Sequence, residues 1–388
     1  MRRLIPISIA ALFLQGCGTF MDPTEWFSGP EVVEPSPLVE LDNPLRPQTL
    51  WTRQVGVGTD GQRLGLSPYL ADGTLFVADA RGRVDALGAE DGRPRWSVDL
   101  DMPLTGGPGA GEGLVLLGGG EADVVALSAE DGSLRWTAGV SSQVLSVPAV
   151  TAGAVIVQTI DGKVVGLEVT NGNQRWRYER EVPALTLHGT ASPVVSGGAV
   201  YVGMSGGRLV ALRADNGSVL WDASVTAPSG RSELQRLADI DGDPVVLGGG
   251  VFAATYQGEV AALEQSSGRA AWRQTLSVHS SLSADRQGIY ASDSDGVLWG
   301  LDIRSGTVRW RQEALKYRQL SDVVVVDGLV VVGDFEGYLH WLDSEDGEMV
   351  ARTRVGSAPI TGGLLVADGI LYVQGDAGDV AAIRPPAR

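Results

Sequence analysis

The side chains that most often carry nucleophilic, acid–base or metal chemistry are few and scattered in this chain. It has 3 His and 1 Cys among its 388 residues. His188, His279 and His340 have no second His or Cys at metal-ligand spacing, which argues against a zinc site. His279 has no visible partner, and His340, beside Trp341, is predicted to be a packed or surface residue.

Three short motifs resemble chemical sites but lack the structural context that those sites need. Gly203-Met204-Ser205-Gly206-Gly207 matches a nucleophile elbow, yet strand patterns flank it on both sides where an elbow has a strand and a helix. Gly56-x-Gly58-x-x-Gly61 opens no helix that could bind a phosphate. Asp239-x-Asp241-x-Asp243 starts like a calcium loop, but Pro244 and Gly250 replace the Gly and Glu of that loop. We therefore predict no catalytic residue, no metal ion and no cofactor.

Cys17 is the one residue with a clear chemical assignment. Arg2 and Arg3 precede an apolar run, residues 4–14, that is too short to span a bilayer. The run ends in Leu14-Gln15-Gly16-Cys17, which resembles the lipobox of bacterial lipoproteins. Residues 1–16 are thus a predicted signal peptide and Cys17 a predicted lipidation site; the alternative is an ordinary secretory signal with an incidental Cys. By the same resemblance, Gly18 rather than Asp at the next position favours the outer membrane.

Charge and composition limit the partners of the mature chain. The formal net charge is −17, and removal of the signal peptide makes the balance more acidic. This argues against nucleic acid and against direct binding to an anionic lipid surface, so the predicted membrane contact is the lipid anchor alone. Residues 17–46 contain several Pro, Asp and Glu without periodicity, which predicts a flexible tether.

A repeat of about forty residues organises the rest of the chain. Each copy has a buried strand pattern, an Asp-Gly, Asn-Gly or Ser-Gly turn and then a Trp, as in Asp131-Gly132 and Trp136. The repeated tryptophans are Trp51, Trp96, Trp136, Trp176, Trp221, Trp272 and Trp310. Four strand signals per copy predict an all-β, eight-bladed β-propeller over residues 47–388, in which each Trp packs between neighbouring blades. A β-helix has shorter repeats, and a helical solenoid needs a sustained 3.6-residue period.

The two ends of the array are incomplete in complementary ways. Trp51 has no turn before it, and the last copy, Val380, Ala382 and Ile383, ends before its turn. Residues 50–55 are therefore predicted to supply the outer strand of the last blade and close the ring. The seventh copy has Ala351 where the Trp should fall.

The repeat resembles that of pyrroloquinoline-quinone (PQQ)-type propellers. Three longer stretches, residues 331–346, 233–258 and 182–193, resemble more closely the BamB family, lipoproteins of the outer-membrane β-barrel assembly machinery. That resemblance implies a non-enzymatic scaffold on the periplasmic face of the outer membrane, with unfolded outer-membrane proteins as a second class of partner. Two alternatives stay open: a periplasmic quinoprotein-like dehydrogenase, although its pair of adjacent cysteines is absent, and a generic envelope adaptor.

Two unusually long connections are the predicted binding site. The Trp spacings 176 to 221 and 221 to 272 exceed the usual interval, so insertions lie on either side of the fourth blade, on one rim. Leu185 and Leu187 lie in the first connection, and Arg236, Asp239 and Asp241 lie in the second. In the BamB family these loops bind the POTRA domains of BamA. The family commonly has Arg where this chain has His188, which could make binding mildly dependent on pH.

Overall fold

Each sequence repeat forms a sheet of four antiparallel strands. The structure is a computed structural model that describes residues 33–387 except 152, 184, 187, 188, 190, 228–231, 233, 235 and 236. Residues 35–388 form one compact unit. The first strands of successive blades lie beside one another around a central axis, and the strands within each blade follow in order outwards. This confirms the predicted all-β, eight-bladed β-propeller.

The strands of each blade follow one another from the central axis outwards. Blade 1 has β3 (Tyr69–Ala71), β4 (Thr74–Ala78), β5 (Arg83–Gly88) and β6 (Pro94–Asp99); blade 2 has β7 (Leu104–Gly111), β8 (Leu114–Gly119), β9 (Asp123–Ser128) and β10 (Leu134–Gly139); blade 3 has β11 (Ala149–Thr151), β12 (Ala154–Gln158), β13 (Lys163–Glu168) and β14 (Gln174–Glu179); blade 4 has β15 (Val194–Ser196), β16 (Ala199–Met204), β17 (Arg208–Arg213) and β18 (Val219–Ser224). Blade 5 has β19 (Val245–Leu247), β20 (Gly250–Ala254), β21 (Glu259–Glu264) and β22 (Ala270–Thr275); blade 6 has β23 (Ser283–Ala284), β24 (Gly288–Ser292), β25 (Leu298–Asp302) and β26 (Val308–Gln312); blade 7 has β27 (Val324–Val326), β28 (Leu329–Gly333), β29 (Tyr338–Asp343) and β30 (Met349–Arg354); blade 8 has β31 (Leu364–Ala367), β32 (Ile370–Gln374), β33 (Asp379–Arg384) and β1 (Gln48–Gln54).

The antiparallel order gives the disc two different rims. The fourth strand of every blade connects to the first strand of the next at one rim, which also carries the turns between second and third strands. We call it the connection rim. The opposite turn rim carries the tight turns between third and fourth strands, such as Asp131-Gly132. Among the described residues, no helix is long and apolar enough to cross a membrane.

Each repeated Trp joins its blade to the following one. The indole Nε1–H donates to a backbone carbonyl of the next blade at 2.8 to 3.2 Å, as from Trp136 to Val169 and from Trp176 to Ala214. Its ring covers the turn glycine of that blade: a Cβ on Gly172 would lie 2.6 Å from Cε3 of Trp136. The turn glycine therefore has two reasons to lack a side chain, because Gly172 also has a φ of 72°.

The ring closes as predicted from its incomplete ends. Strand β1 pairs with β33, from Gln48 opposite Arg384 to Gln54 opposite Asp379. Blade 8 therefore has no turn between its third and fourth strands. A Trp at position 351 would have no turn glycine to cover, and Ala351 is buried there instead. Closure removes the open sheet edges that would otherwise flank the ring.

Two features differ from the sequence-based expectation. A short strand, β2 (Gly65–Leu66), pairs in parallel with β7 and adds a fifth strand to blade 2. Residues 35–46, assigned to the flexible tether, instead hydrogen-bond to the propeller, for example from the N–H of Leu45 to the carbonyl of Val350 at 2.8 Å. A Pro-rich segment without periodicity can still dock when a folded domain offers backbone acceptors. The signal peptide and Cys17 lie outside the described residues.

Candidate partner-binding site

The two long connections lie on the connection rim on either side of blade 4 and contact each other. The first joins β14 to β15 (residues 180–193) and the second joins β18 to β19 (residues 225–244). A Cβ on Gly189 would lie 2.4 Å from Oδ1 of Asp241, so these backbones approach closely. The N–H of Ser192 donates to Oδ1 of Asp243 at 2.5 Å. The structure thus brings the two predicted loops together.

The second connection is held from inside by apolar and polar contacts. Leu237, Ala238 and Ile240 are buried. Oδ1 of Asp239 accepts the N–H of Gly206 at 2.9 Å, and its backbone carbonyl accepts the N–H of Tyr256 at 3.1 Å. Asp239, although predicted to face a partner, is 3% exposed and positions the loop.

Two leucines present an apolar surface at this rim. Leu185 is 43% exposed and Leu234, in the second connection, is 63% exposed. Leu234 was missed by the sequence analysis because its neighbours are charged and offer no alternation. Leu187, His188 and Arg236 lie outside the described residues. An exposed apolar centre beside polar groups is the arrangement expected of a modest protein interface.

Two carboxyl groups of the second connection have a pKa far above the ordinary value. Burial raises the pKa of Asp241 to about 7; the charge of Asp239 adds to this shift and Arg63 opposes it. The buried Oδ1 of Asp241 has no hydrogen-bond partner among the described residues. Burial also raises the pKa of Asp243 to about 7, against the hydrogen bond from Ser192. Both groups therefore change charge near neutral pH.

Arg63 is a second residue that the sequence analysis missed. It lies in the connection between β1 and β2. Burial lowers the pKa of His279 and the charge of Arg63 adds to that shift, while the same charge opposes the rise in the pKa of Asp241. Asp241 precedes blade 5 and His279 precedes blade 6, so the charge of Arg63 acts on the entrances of both blades. The available signal was the long spacing from Trp51 to Trp96.

The motifs considered for chemistry have structural roles where the structure describes them. Gly203 and Met204 end β16, and Ser205, Gly206 and Gly207 form the hairpin turn to β17. His340 is fully buried, with Nε2 2.9 Å from Oδ2 of Asp334. Asp239 and Asp243 accept backbone N–H groups from Gly206 and Ser192, respectively. Within the described ranges, no three His, Cys, Asp or Glu side chains are grouped to hold a metal ion.

The fold and this rim define a class: an eight-bladed propeller of PQQ-like repeats with two long connections flanking one blade. The family model described as outer membrane protein assembly factor BamB matches residues 41–104, 80–312 and 296–385. The chain is 40% identical to the outer membrane protein assembly factor BamB of Alkalilimnicola ehrlichii, over 99% of this chain and 97% of that protein. The crystal structure of BamB from Moraxella catarrhalis superposes with a TM-score of 0.80 at 26% identity, covering 88% of this chain and all of that one. The chain belongs to the BamB family of outer membrane protein assembly factors.

The quinoprotein resemblance extends to the fold alone. The quinohemoprotein alcohol dehydrogenase of Comamonas testosteroni superposes with a TM-score of 0.68 over 88% of this chain and 77% of that chain, at 13% identity. An identity this low shows a shared propeller architecture, and architecture does not fix activity.

Proposed function

We propose that this protein is a non-enzymatic scaffold that assists the delivery and insertion of β-barrel proteins at the outer membrane. In this proposal it is anchored at the periplasmic face by lipid on Cys17. Its connection rim binds the POTRA domains of BamA, and unfolded outer-membrane proteins are its second class of partner. The mature chain then works by holding its partners in place, with no bound cofactor.

The observation that carries the proposal is the pairing of the two connections beside blade 4. Gly189 and Asp241 bring their backbones together, and Leu185 and Leu234 are exposed from the same pair of loops. Truncating a buried apolar anchor typically costs an interface far more than truncating a peripheral contact. Membership of the BamB family makes an assembly protein the natural partner to test.

The direct test is photo-crosslinking in cells from position 185. A photoreactive residue replacing Leu185 should capture BamA through its POTRA domains. The matched control replaces Leu134, which is 61% exposed on the outer strand of blade 2 and should capture none. Capture from position 185 of a different envelope protein, without BamA, would support the generic adaptor instead.

The same loop can be tested by substitution. The Leu185→Ala/Leu187→Ala double variant should reduce co-purification of BamA at least about tenfold, because loss of an interface anchor commonly costs about 2 kcal/mol. A Leu134→Ala variant should leave co-purification unchanged. Wild-type recovery by the double variant would contradict the assignment of this loop.

A further inference from the structure

The outer edge of blade 7 is covered by the protein's own N-terminal segment. Strand β30 is the edge strand of its sheet, and an uncovered edge would present unpaired backbone groups. Residues 35–46, which we call the strap, run along it. The N–H of Leu45 donates to the carbonyl of Val350 at 2.8 Å, and Nη2 of Arg352 donates to the carbonyl of Val39 at 3.0 Å. The strap thus occupies this edge as an extended segment.

Blade 7 differs from blades 1–6 in a way that suits the strap. Ala351 takes the place of the repeated Trp on β30, and it belongs to a buried cluster with Trp341 and Ile383. Leu45 of the strap packs against this cluster and is half-buried. Ala351 and Leu45 thus both contribute to the apolar contact between blades 7 and 8.

At the connection rim, the strap completes the hydrogen bonds of a buried arginine. Arg318 is 3% exposed, and its Nε donates to Oδ2 of Asp334 at 2.8 Å. Its Nη2 bonds Glu336, and its Nη1 donates to the backbone carbonyl of Ser36 at 3.0 Å. The N–H of Ser36 in turn donates to the carbonyl of Lys316 at 3.0 Å. Without the strap, a buried guanidinium would lose an acceptor, which is unfavourable.

His340 links the two arginines through the same carboxylate. Its Nε2 lies 2.9 Å from Oδ2 of Asp334, and its Nδ1 accepts from Nε of Arg352 at 3.4 Å. Arg318 and Arg352 each use other nitrogens to bind strap carbonyls. One buried polar network therefore holds the strap at two points. The stretch at residues 331–346, which resembles the BamB family more specifically than the repeat, contains Asp334, Glu336 and His340 of this network.

We propose that the strap is a fixed part of the folded propeller, docked on the edge of blade 7, and that it makes the chain leave the disc at the connection rim. The two ends of the strap set this direction. Leu45 lies at the start of β30, near the turn rim, whereas Ser36 lies against the connection between β26 and β27. The strap therefore begins beside blades 6 and 7, at the rim that carries the candidate partner-binding loops.

The consequence for membrane attachment rests on the proposed function. If Cys17 carries lipid, the docked strap leaves only residues 18–34 between the anchor and the propeller, and releasing the strap would add up to about 40 Å of extended chain. A docked strap limits how far the connection rim can move from the anchor. A shorter tether confines the protein to a smaller volume and raises the effective concentration of its binding loops at a membrane-bound partner.

The docked state can be tested by amide hydrogen exchange in the full chain. The amides of Ser36 and Leu45 should exchange slowly, because they donate to propeller carbonyls. Arg352→Gln and Leu45→Ala should each accelerate their exchange about tenfold, as expected for loss of one stabilising contact. Peptides of β28 and β29 should be unchanged, which shows that the blade stays folded.

The control for the exchange experiment is Arg354→Gln. Arg354 lies on the same strand as Arg352 and donates to the carbonyl of Gly356, within the propeller. It should leave the strap peptides at the wild-type rate. Exchange of the wild-type strap at the rate of an unstructured peptide would overturn the proposal, as would unchanged strap exchange in both Arg352→Gln and Leu45→Ala.

Distances between spin labels, with Cys17 replaced by Ser, can test whether the strap directs the chain to the connection rim. A label at Pro35→Cys, the exposed first residue of the strap, is paired with Asp295→Cys, whose backbone carbonyl accepts the N–H of Tyr317 at the connection rim, or with Asp346→Cys at the turn rim. The pair with position 295 should give the shorter and narrower distance distribution. A shorter distance to position 346, or equally broad distributions for both pairs, would overturn the proposal that the strap directs the chain to the connection rim. Neither experiment needs a partner, so failure of the strap and failure of the proposed function are distinguishable.

Discussion

At the scale of single residues, the repeated Trp and the turn Gly are two halves of one contact between blades. A sequence repeat records both in the same copy, yet each Trp packs on the glycine of the following copy, as Trp136 does on Gly172. The sequence pattern alone predicted that the Trp lies between blades. It did not show that the Gly is required by the neighbour's ring as well as by its own φ.

Substitution of two glycines separates these requirements. Gly172 and Gly113 have φ angles of 72° and 75°, but only a Cβ at 172 would meet an indole ring; nothing lies within 4 Å at 113. Gly113→Ala should cost about 1–2 kcal/mol for its left-handed backbone. Gly172→Ala should cost about 1–3 kcal/mol more, because Trp136 must move. Urea unfolding measures both, and equal losses would contradict the role assigned to the ring.

The buried carboxyl of Asp243 gives stability a pH dependence whose sign follows from its pKa. The pKa is raised from 3.8 to about 7, so between about pH 4 and 7 the folded state holds a proton that the unfolded state releases. This contribution to stability is complete below about pH 4 and is lost as the pH rises through 7. Asp243→Asn stays neutral and keeps an acceptor for the N–H of Ser192.

We therefore expect the melting temperature of Asp243→Asn to fall less than that of the wild type between pH 5 and pH 8. The control is Asp368→Asn, at an exposed position with a φ of 50° that Asn tolerates. Its melting temperature should follow the wild-type pH profile. A parallel profile for Asp243→Asn would show that this carboxyl is ionised in the folded protein throughout the range.

At the scale of strands, closure of the ring depends on β33. This strand lies between β32 and β1, and its residues Val380, Ala382 and Ile383 are buried. Truncation after Gly378 removes β33 and leaves β1 without its partner strand. Trp51 is then no longer held in the sheet of blade 8. Truncation after Arg384 keeps every pair between β1 and β33.

The first truncation should be strongly destabilised and cleaved early by protease near residues 48–54, whereas the second should resist like the full chain. Loss of buried apolar side chains and a newly exposed sheet edge are the physical reasons. Limited proteolysis followed by mass spectrometry identifies the cut sites. Equal resistance of the two truncations would mean that the propeller is stable as an open ring.

At the scale of the molecule, what could be predicted from the sequence is what the repeat encodes. Blade number, closure by residues near Leu50 and the position of two long connections follow from the Trp and Gly spacings. The rest depends on contacts between distant segments that no period records. Arg318, for example, joins Asp334 to Ser36, which lies 282 positions from it in the chain; a pairing of this kind leaves no local pattern.

For the candidate site, too, the sequence predicted the position of the loops but not the orientation of individual side chains. The spacing of Trp176, Trp221 and Trp272 located both loops, and the closed ring made them neighbours. Residue type alone, however, did not distinguish buried from exposed groups within them. Asp239 holds the loop from inside, while Leu234, among charged residues, is exposed. Whether a polar side chain faces solvent or a backbone N–H is decided by the path of the loop.

The pairing of the first strand with the last constrains the order of events during biosynthesis. Gln48 accepts a hydrogen bond from Arg384, 336 positions later in the chain. A ribosome delivers the chain from its amino end, so β1 has no strand to pair with until almost the whole polypeptide has been made. Contacts this far apart form slowly. In the proposed function, in which the chain is exported, this delay helps the chain to cross a secretion channel unfolded, since its ring cannot close before the final residues arrive.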